Sequence, residues 1–166
     1  MIKIYSSGST EESITGAVGV TETGATTMKQ TLPPNKLRNG DRVHVRCHFE
    51  CTGKGTAPSY TPSIRVGGIS GQRVQAAGVV HAANQSEWVD FWMTWKTVGG
   101  SPVWSYHGTI NSESNANYDG PFAASGLTSP ASNAAIDILP TVQFAATPNG
   151  TDAITVRDLT VEIHRP

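Results

Sequence analysis

Between residues 42 and 51 apolar and polar positions alternate without a break. Val43, Val45, Cys47, Phe49 and Cys51 fall on one side; His44, Arg46, His48 and Glu50 fall on the other. A period of two over this length predicts a β-strand with one face in the core. Residues 87–98 predict a strand of another kind. Val89, Phe91, Met93 and Trp95 share one face, and Trp88, Trp92 and Val98 lie on the other with Asp90, Thr94 and Lys96. Large apolar groups on both faces predict cover on both sides, by the core on one and by a loop or another subunit on the other.

Shorter β runs follow the same logic at residues 2–5, 26–32, 63–66, 72–80, 136–139 and 142–145. Residues 103–110 add another, with Trp104, Tyr106, Gly108 and Ile110 in phase. Between them stand turn signals, among them Pro33-Pro34, Asn39-Gly40, Gly67-Gly68, Gly99-Gly100-Ser101-Pro102 and Pro148-Asn149-Gly150. Residues 6–21 and 52–59 read as loop or arm. Residues 111–135 are poor in large apolar groups and predict a long loop, a place where function often sits. Pro140 predicts a bulge or a sheet edge. In the last run, 153–164, Ile154 and Val156 hold even positions, whereas Leu159, Val161 and Ile163 hold odd ones. One inserted residue at Arg157-Asp158, a β-bulge, restores a single buried face.

No helical period and no internal repeat occur. The expectation is an all-β protein: an antiparallel two-sheet sandwich, jelly-roll-like, with about eight or nine strands. Residues 32–166 form the jelly roll. Residues 1–31 form an N-terminal arm with the first strands and a candidate attachment segment.

Composition narrows the function classes. The 166 residues suffice for one core, and 17 Gly and 10 Pro suit a turn-rich β protein. A net charge of −1 with no Lys/Arg cluster argues against nucleic acid. No apolar run approaches the roughly 20 residues of a membrane-spanning helix. Met1 leads into Ile2-Lys3-Ile4-Tyr5 with no basic segment and apolar stretch of a secretion signal, so synthesis in a cytoplasm is expected.

Strand geometry decides much of the candidate chemistry. Cys47 and Cys51 sit about 13 Å apart along one strand face, too far to pair, and read as buried thiols. His44 and His48 have the spacing of a helical zinc site, but on a strand they too are about 13 Å apart. A metal there would need His107 or a symmetry mate, so no metal and no cofactor are expected. The row His44, Arg46, His48 and Glu50 is either a solvated polar face or a contact between subunits around a symmetry axis. In the second case Arg46–Glu50 pairs would lock register, and His protonation would make assembly sensitive to mild acid.

Trp88, Trp92, Trp104 and Tyr106 could form an aromatic platform for sugar rings, but only half of them can face outward; the competing reading is core or interface packing. Glycosidase chemistry needs two carboxylates about 5–10 Å apart, and nothing pairs Glu87, Asp90, Asp119 and Asp137. There is no nucleophile elbow, and Gly67-Gly68-Ile69-Ser70-Gly71 lacks the Lys of a phosphate-binding loop. No enzyme is expected. Asn117 and Asp119 suit either a calcium or ligand site or simple Asx turns.

The run Leu-Pro-Pro-Asn-Lys-Leu-Arg-Asn-Gly-Asp-Arg-Val-His-Val-Arg, from Leu32 to Arg46, resembles a recurring element of tailed-bacteriophage structural proteins. Ser63-Ile64-Arg65-Val66-Gly67-Gly68 and the closing Asp158-Leu159-Thr160-Val161 are similar in style. The resemblance spans roughly residues 32–163. It implies a homotrimeric jelly roll on a virion surface, made in the host cytoplasm, as a head decoration protein, head fibre or tail-fibre tip. It carries no catalytic residues. The resulting expectation is a non-enzymatic virion protein bound to the major capsid or tail protein, with His44, Arg46, His48, Glu50, Trp88 and Trp92 as interface candidates. The alternative is a receptor- or glycan-binding tail protein that takes a host surface glycan through Trp88, Trp92, Asn117 or Asp119.

Overall fold

The computed structural model describes residues 2–6, 10–19, 21–53, 59–75, 79–80, 85–113, 120–144 and 148–166. Within them the chain runs β1 (Ile2–Ser6), β2 (Glu12–Thr15), a turn of 3-10 helix (Gly16–Val18), β3 (Thr23–Gly24), β4 (Gln30–Leu32), β5 (Arg42–Gly53), β6 (Ser59–Val66), β7 (Gln72–Gln75), β8 (Val79–Val80), β9 (Ser86–Thr97), β10 (Val103–Ser112), β11 (Gly120–Leu127), β12 (Ile136–Phe144) and β13 (Ala153–His164). Among the described residues no helix is long and apolar enough to cross a membrane.

Two antiparallel sheets form a sandwich of the expected jelly-roll-like class. The larger has seven strands in the order β1-β13-β5-β9-β10-β11, with β2 also on β13. The smaller has six, in the order β3-β12-β6-β7, with β4 on β12 and β8 on β6. Alternation dictates which residues meet between them. Val43, Val45, Cys47 and Phe49 of β5, Val89, Phe91, Met93 and Trp95 of β9, and Leu159, Val161 and Ile163 of β13 are buried in one cluster with Tyr60, Ile64, Val66, Ile136, Ile138, Val142 and Phe144 of the smaller sheet.

Residues 1–31, set apart above as an arm, contribute β1 and β2 to one sheet and β3 and β4 to the other. On the outside of the smaller sheet, Glu22 accepts from Arg65 Nε at 2.9 Å and from Thr141 Oγ1 at 2.6 Å. Burial would raise the Glu22 carboxyl, but bonds from Arg65 and Thr141 and the charges of Arg73 and Arg65 outweigh it and hold it below its usual range.

The bulge expected in the last strand is present. Register shifts between Val156 and Asp158 against β5, leaving Arg157 unpaired. The side chain of Arg157 reaches Glu50 and Glu11.

The described residues hold thirteen strands; β2, β3, β8 and β11 add to the runs read from the sequence. Two expectations are corrected. The long loop at 111–135 contains β11, an edge strand made mostly of small residues that pairs with β10 from Trp104–Leu127 to Ile110–Gly120. Its low apolar content hid it, since an edge strand buries little. Pro140 lies inside β12, paired opposite Ile64, and not at an edge. Its carbonyl accepts from Ala25 N at 2.9 Å, on the side where β4 has ended and β3 begins. N–H and C=O of one strand residue point to the same neighbour, so the missing N–H falls where the neighbouring strand is interrupted.

Trp95 and Trp104 are fully buried and stack with centroids 5.3 Å apart. Trp104 Nε1 donates to the Ser129 carbonyl at 2.9 Å. Removing either indole leaves a cavity, and Trp104→Ala is expected to cost about 3–5 kcal/mol in urea unfolding. A loss below about 1 kcal/mol would contradict this packing.

Candidate functional site

The outer face of the larger sheet carries the polar half of the alternation. Register aligns it into three rows across β13, β5, β9 and β10: Glu162–His44–Trp92–His107, Thr160–Arg46–Asp90–Thr109, and Asp158–His48–Trp88–Asn111. Directly opposite side chains in a sheet touch, so each row is a line of contacts.

In the first row the His44 ring stacks on Trp92 at 4.3 Å and 4°. His164 meets Trp92 edge-on at 4.9 Å, and the Arg42 guanidinium lies over the indole at 4.5 Å. In the second row Asp90 joins its neighbours: His44 Nε2 donates to its Oδ1 at 2.8 Å, and Arg46 Nε pairs with its Oδ2 at 3.3 Å. In the third row His48 stacks on Trp88 at 4.2 Å and 5°, with Arg46 over the same indole at 5.5 Å. The outward tryptophans are thus shielded in part by long polar side chains of their own sheet.

β5 flanks β9 on one side and β10 on the other, so His44 stacks on Trp92 from the β5 side. On the β10 side opens a cleft of about 410 Å³ lined by Asp90, Trp92, His107, Gly108, Thr109, Pro121, Phe122 and Ala123. Small residues of β11 leave this space. Beneath it β9 and β10 approach closely: a Cβ on Gly108 would stand 2.3 Å from the Asp90 carbonyl oxygen. The cleft therefore joins an indole, a carboxylate, an imidazole and a hydroxyl over an apolar floor, the usual make-up of a small-ligand site.

The sequence candidates distribute as follows. Trp88 and Trp92 face outward. Trp104 is core, and Tyr106 is half-buried against Phe91 and Phe122. The interface candidates His44, Arg46, His48 and Glu50 do share one face, and within the chain Arg46 pairs with Asp90 and Glu50 with Arg157. Glu87 is fully buried, Asp90 is on the outer face, and Asp137 is on the other sheet with Lys29 at 3.0 Å and Thr31 at 2.7 Å. Asn117 and Asp119 lie outside the described residues. Cys47 and Cys51 are buried thiols; burial, then the charges of Asp158 and Glu87, pushes the Cys47 thiol well up.

The sequence pattern does not single out Thr109, Glu162, His164 or the β11 residues, and it offers His107 only as a metal ligand. For Glu162 and His164 a signal existed, since the bulge at Arg157 puts every even position beyond it on the outer face.

No protein-family model and no curated protein matches the sequence. Among solved structures, the chain is similar to the CBM2 module of the evolved Dit of Lactobacillus casei BL23 phage J-1, at 13% identity and TM-score 0.40 over 83% of this chain and 69% of that one. It is similar to the winged bean acidic lectin complexed with methyl-alpha-D-galactose at 7% identity and TM-score 0.47 over 98% of each chain. Peanut lectin follows at 8% identity and TM-score 0.37 over 99% of this chain and 98% of that one. Likeness at this level is one of β architecture and transfers no residue roles.

His48 supplies a test of the face. Burial lowers its pKa, and the charge of Arg157 adds to this, against the opposing carboxylates Glu50, Glu113 and Asp158. Its Nε2 is buried without a hydrogen-bond partner among the described residues. A folded-state pKa below the unfolded one means that the unfolded chain takes up the proton first. Stability from this group is therefore full above about pH 6.5 and is lost as pH falls through the folded value. His48→Gln is expected to flatten the fall in unfolding free energy between pH 7 and pH 5, and an unchanged pH slope would refute the assignment.

Proposed function

We propose that this protein binds carbohydrate on the outer face of its larger sheet, with Trp92 as the stacking surface and the cleft toward β11 as the subsite. The observation that carries this is the convergence of Trp92, Asp90, His107 and Thr109 around one open cleft of about 410 Å³. A pyranose presents flat C–H faces and hydroxyl edges, and this site offers an aromatic face and hydrogen-bonding edges to match. Asp90 is already held by His44 and Arg46, one on each oxygen. Each carboxylate oxygen keeps a second lone-pair direction, so Asp90 can accept from vicinal hydroxyls while fixed in place. Preorganisation of this kind lowers the entropy lost on binding.

The resemblance at residues 32–46 adds a setting: a glycan-binding module displayed on a phage particle and contacting the host surface. The rival role, a homotrimeric capsid decoration protein, would use the same face as a subunit contact. An obligate interface is usually rich in exposed apolar groups, and among the described residues Ile69 is the one large hydrophobic side chain that is exposed. That favours ligand binding over subunit burial for this face.

Glycan-array screening of the whole protein, followed by calorimetry on the best hit, tests the proposal. Trp92→Ala is expected to weaken binding by at least about tenfold, from lost stacking and apolar contact. Thermal unfolding of the variant shows whether the fold survives. An array with no hits, together with a trimer in native mass spectrometry that Trp92→Ala dissociates, would reverse the order of the two roles.

A further inference from the structure

We infer that His44, Glu162 and His164 form a binding site for a borderline transition-metal dication such as Zn²⁺, beside Trp92 and on its β13 side. The three residues offer one ligand atom each, all within 4.8 Å of one another. His44 and Glu162 are directly opposite in register, and His164 follows two residues after Glu162 on the same face of β13. His44 Nδ1 is 3.9 Å from Glu162 Oε2, and His164 Nε2 is 2.9 Å from that same oxygen.

A second observation concerns the proton on His44. Asp90, a carboxylate, can only accept, so His44 Nε2 carries the proton in the 2.8 Å bond to it. In the neutral ring this leaves the Nδ1 lone pair free and turned toward Glu162. A histidine fixed through its far nitrogen by a carboxylate is the arrangement that orients an imidazole for a metal. The stack on Trp92 holds the ring plane as well.

Ligand atoms around a tetrahedral Zn²⁺ stand about 3.3 Å apart. Reaching this from 4.8 Å or less needs only side-chain torsions. Binding replaces the His164–Glu162 hydrogen bond: His164 carries its proton on Nδ1, and Nε2 and Oε2 both turn to the metal. The side chains of His44, Glu162 and His164 are 17%, 27% and 29% exposed, which leaves a water to complete four-coordination.

The charges of this face select the metal. Asp90 and Glu162 are balanced by Arg46, paired to Asp90, and by Arg42 over Trp92. With neutral histidines the formal sum is zero, so affinity must come from donor chemistry and not from a negative field. Two imidazoles and one carboxylate suit Zn²⁺, and they do not suit Ca²⁺ or Mg²⁺, which take all-oxygen sites.

The site is separate from the carbohydrate cleft, and the test contains no sugar, so its outcome is independent of that reading. Tag-free protein is titrated with Zn²⁺ by calorimetry and with Co²⁺ by visible absorption. One Zn²⁺ per chain and an intense tetrahedral Co²⁺ band are expected. Glu162→Gln and His164→Ala each weaken binding at least tenfold, Asp90→Asn weakens it about tenfold through the lost orientation of His44, and His48→Ala leaves it unchanged. In the unaltered protein, Zn²⁺ shifts the imidazole resonances of His44 and His164 but not of His48, a readout that needs no variant to fold. No heat and no resonance shift at millimolar Zn²⁺, or binding retained in the His44→Ala/His164→Ala double variant, would overturn the site.

Discussion

The register between β5 and β9 is the constraint on which the rest depends. It places Val43 opposite Met93 and Val45 opposite Phe91 on the core side, and His44 opposite Trp92 and Arg46 opposite Asp90 on the outer side. A slip of β5 by one residue would turn all of its side chains to the other face. It would bury His44, Arg46 and His48 and expose Val43, Val45 and Phe49. Desolvating those polar groups without partners is costly enough to exclude the alternative. The hydrophobic core therefore specifies the outer face without touching it, and the aromatic and imidazole stacks follow from packing on the opposite side of the sheet.

The outer face is ordered from within. Asp90 links His44 to Arg46, His44 stacks on Trp92, and Arg46 lies over Trp88. Exposed ion pairs of this kind contribute little to stability. What they do is restrict rotamers, so that Trp92 and Asp90 stand in one arrangement. The bulge at Arg157 belongs to the same design. It brings Leu159, Val161 and Ile163 into the core phase and sets Glu162 and His164 on the outer face beside His44.

Much of this was legible along the chain. The alternation at 42–51 and 87–98 identified two central strands and both of their faces, and the phase change at Arg157 located the bulge. Strand rise alone removed a Cys47–Cys51 disulfide and a His44–His48 metal site. The weakly patterned pieces were not legible. β11 buries little, so its sequence carries no apolar period. Pro140 is tolerated in β12 only because β4 stops and β3 starts beside it, an arrangement of three separate segments. The division of the four aromatic candidates was half visible: parity separates Trp88 and Trp92 from the core face of β9, but the burial of Trp104 depends on Trp95 standing opposite it.

Local pattern, then, determined the strands, their buried faces and the all-β class, because a period of two is a property of neighbouring residues and the hydrophobic effect acts on it directly. The order of strands across the sheet was decided only by tertiary structure. Which histidine meets which carboxylate, and which small-residue strand opens a cleft beside Trp92, depend on contacts between segments far apart in sequence. The physical reason is that lateral pairing is chosen by the packing of the whole sandwich, and the polar outer residues inherit their neighbours from that choice.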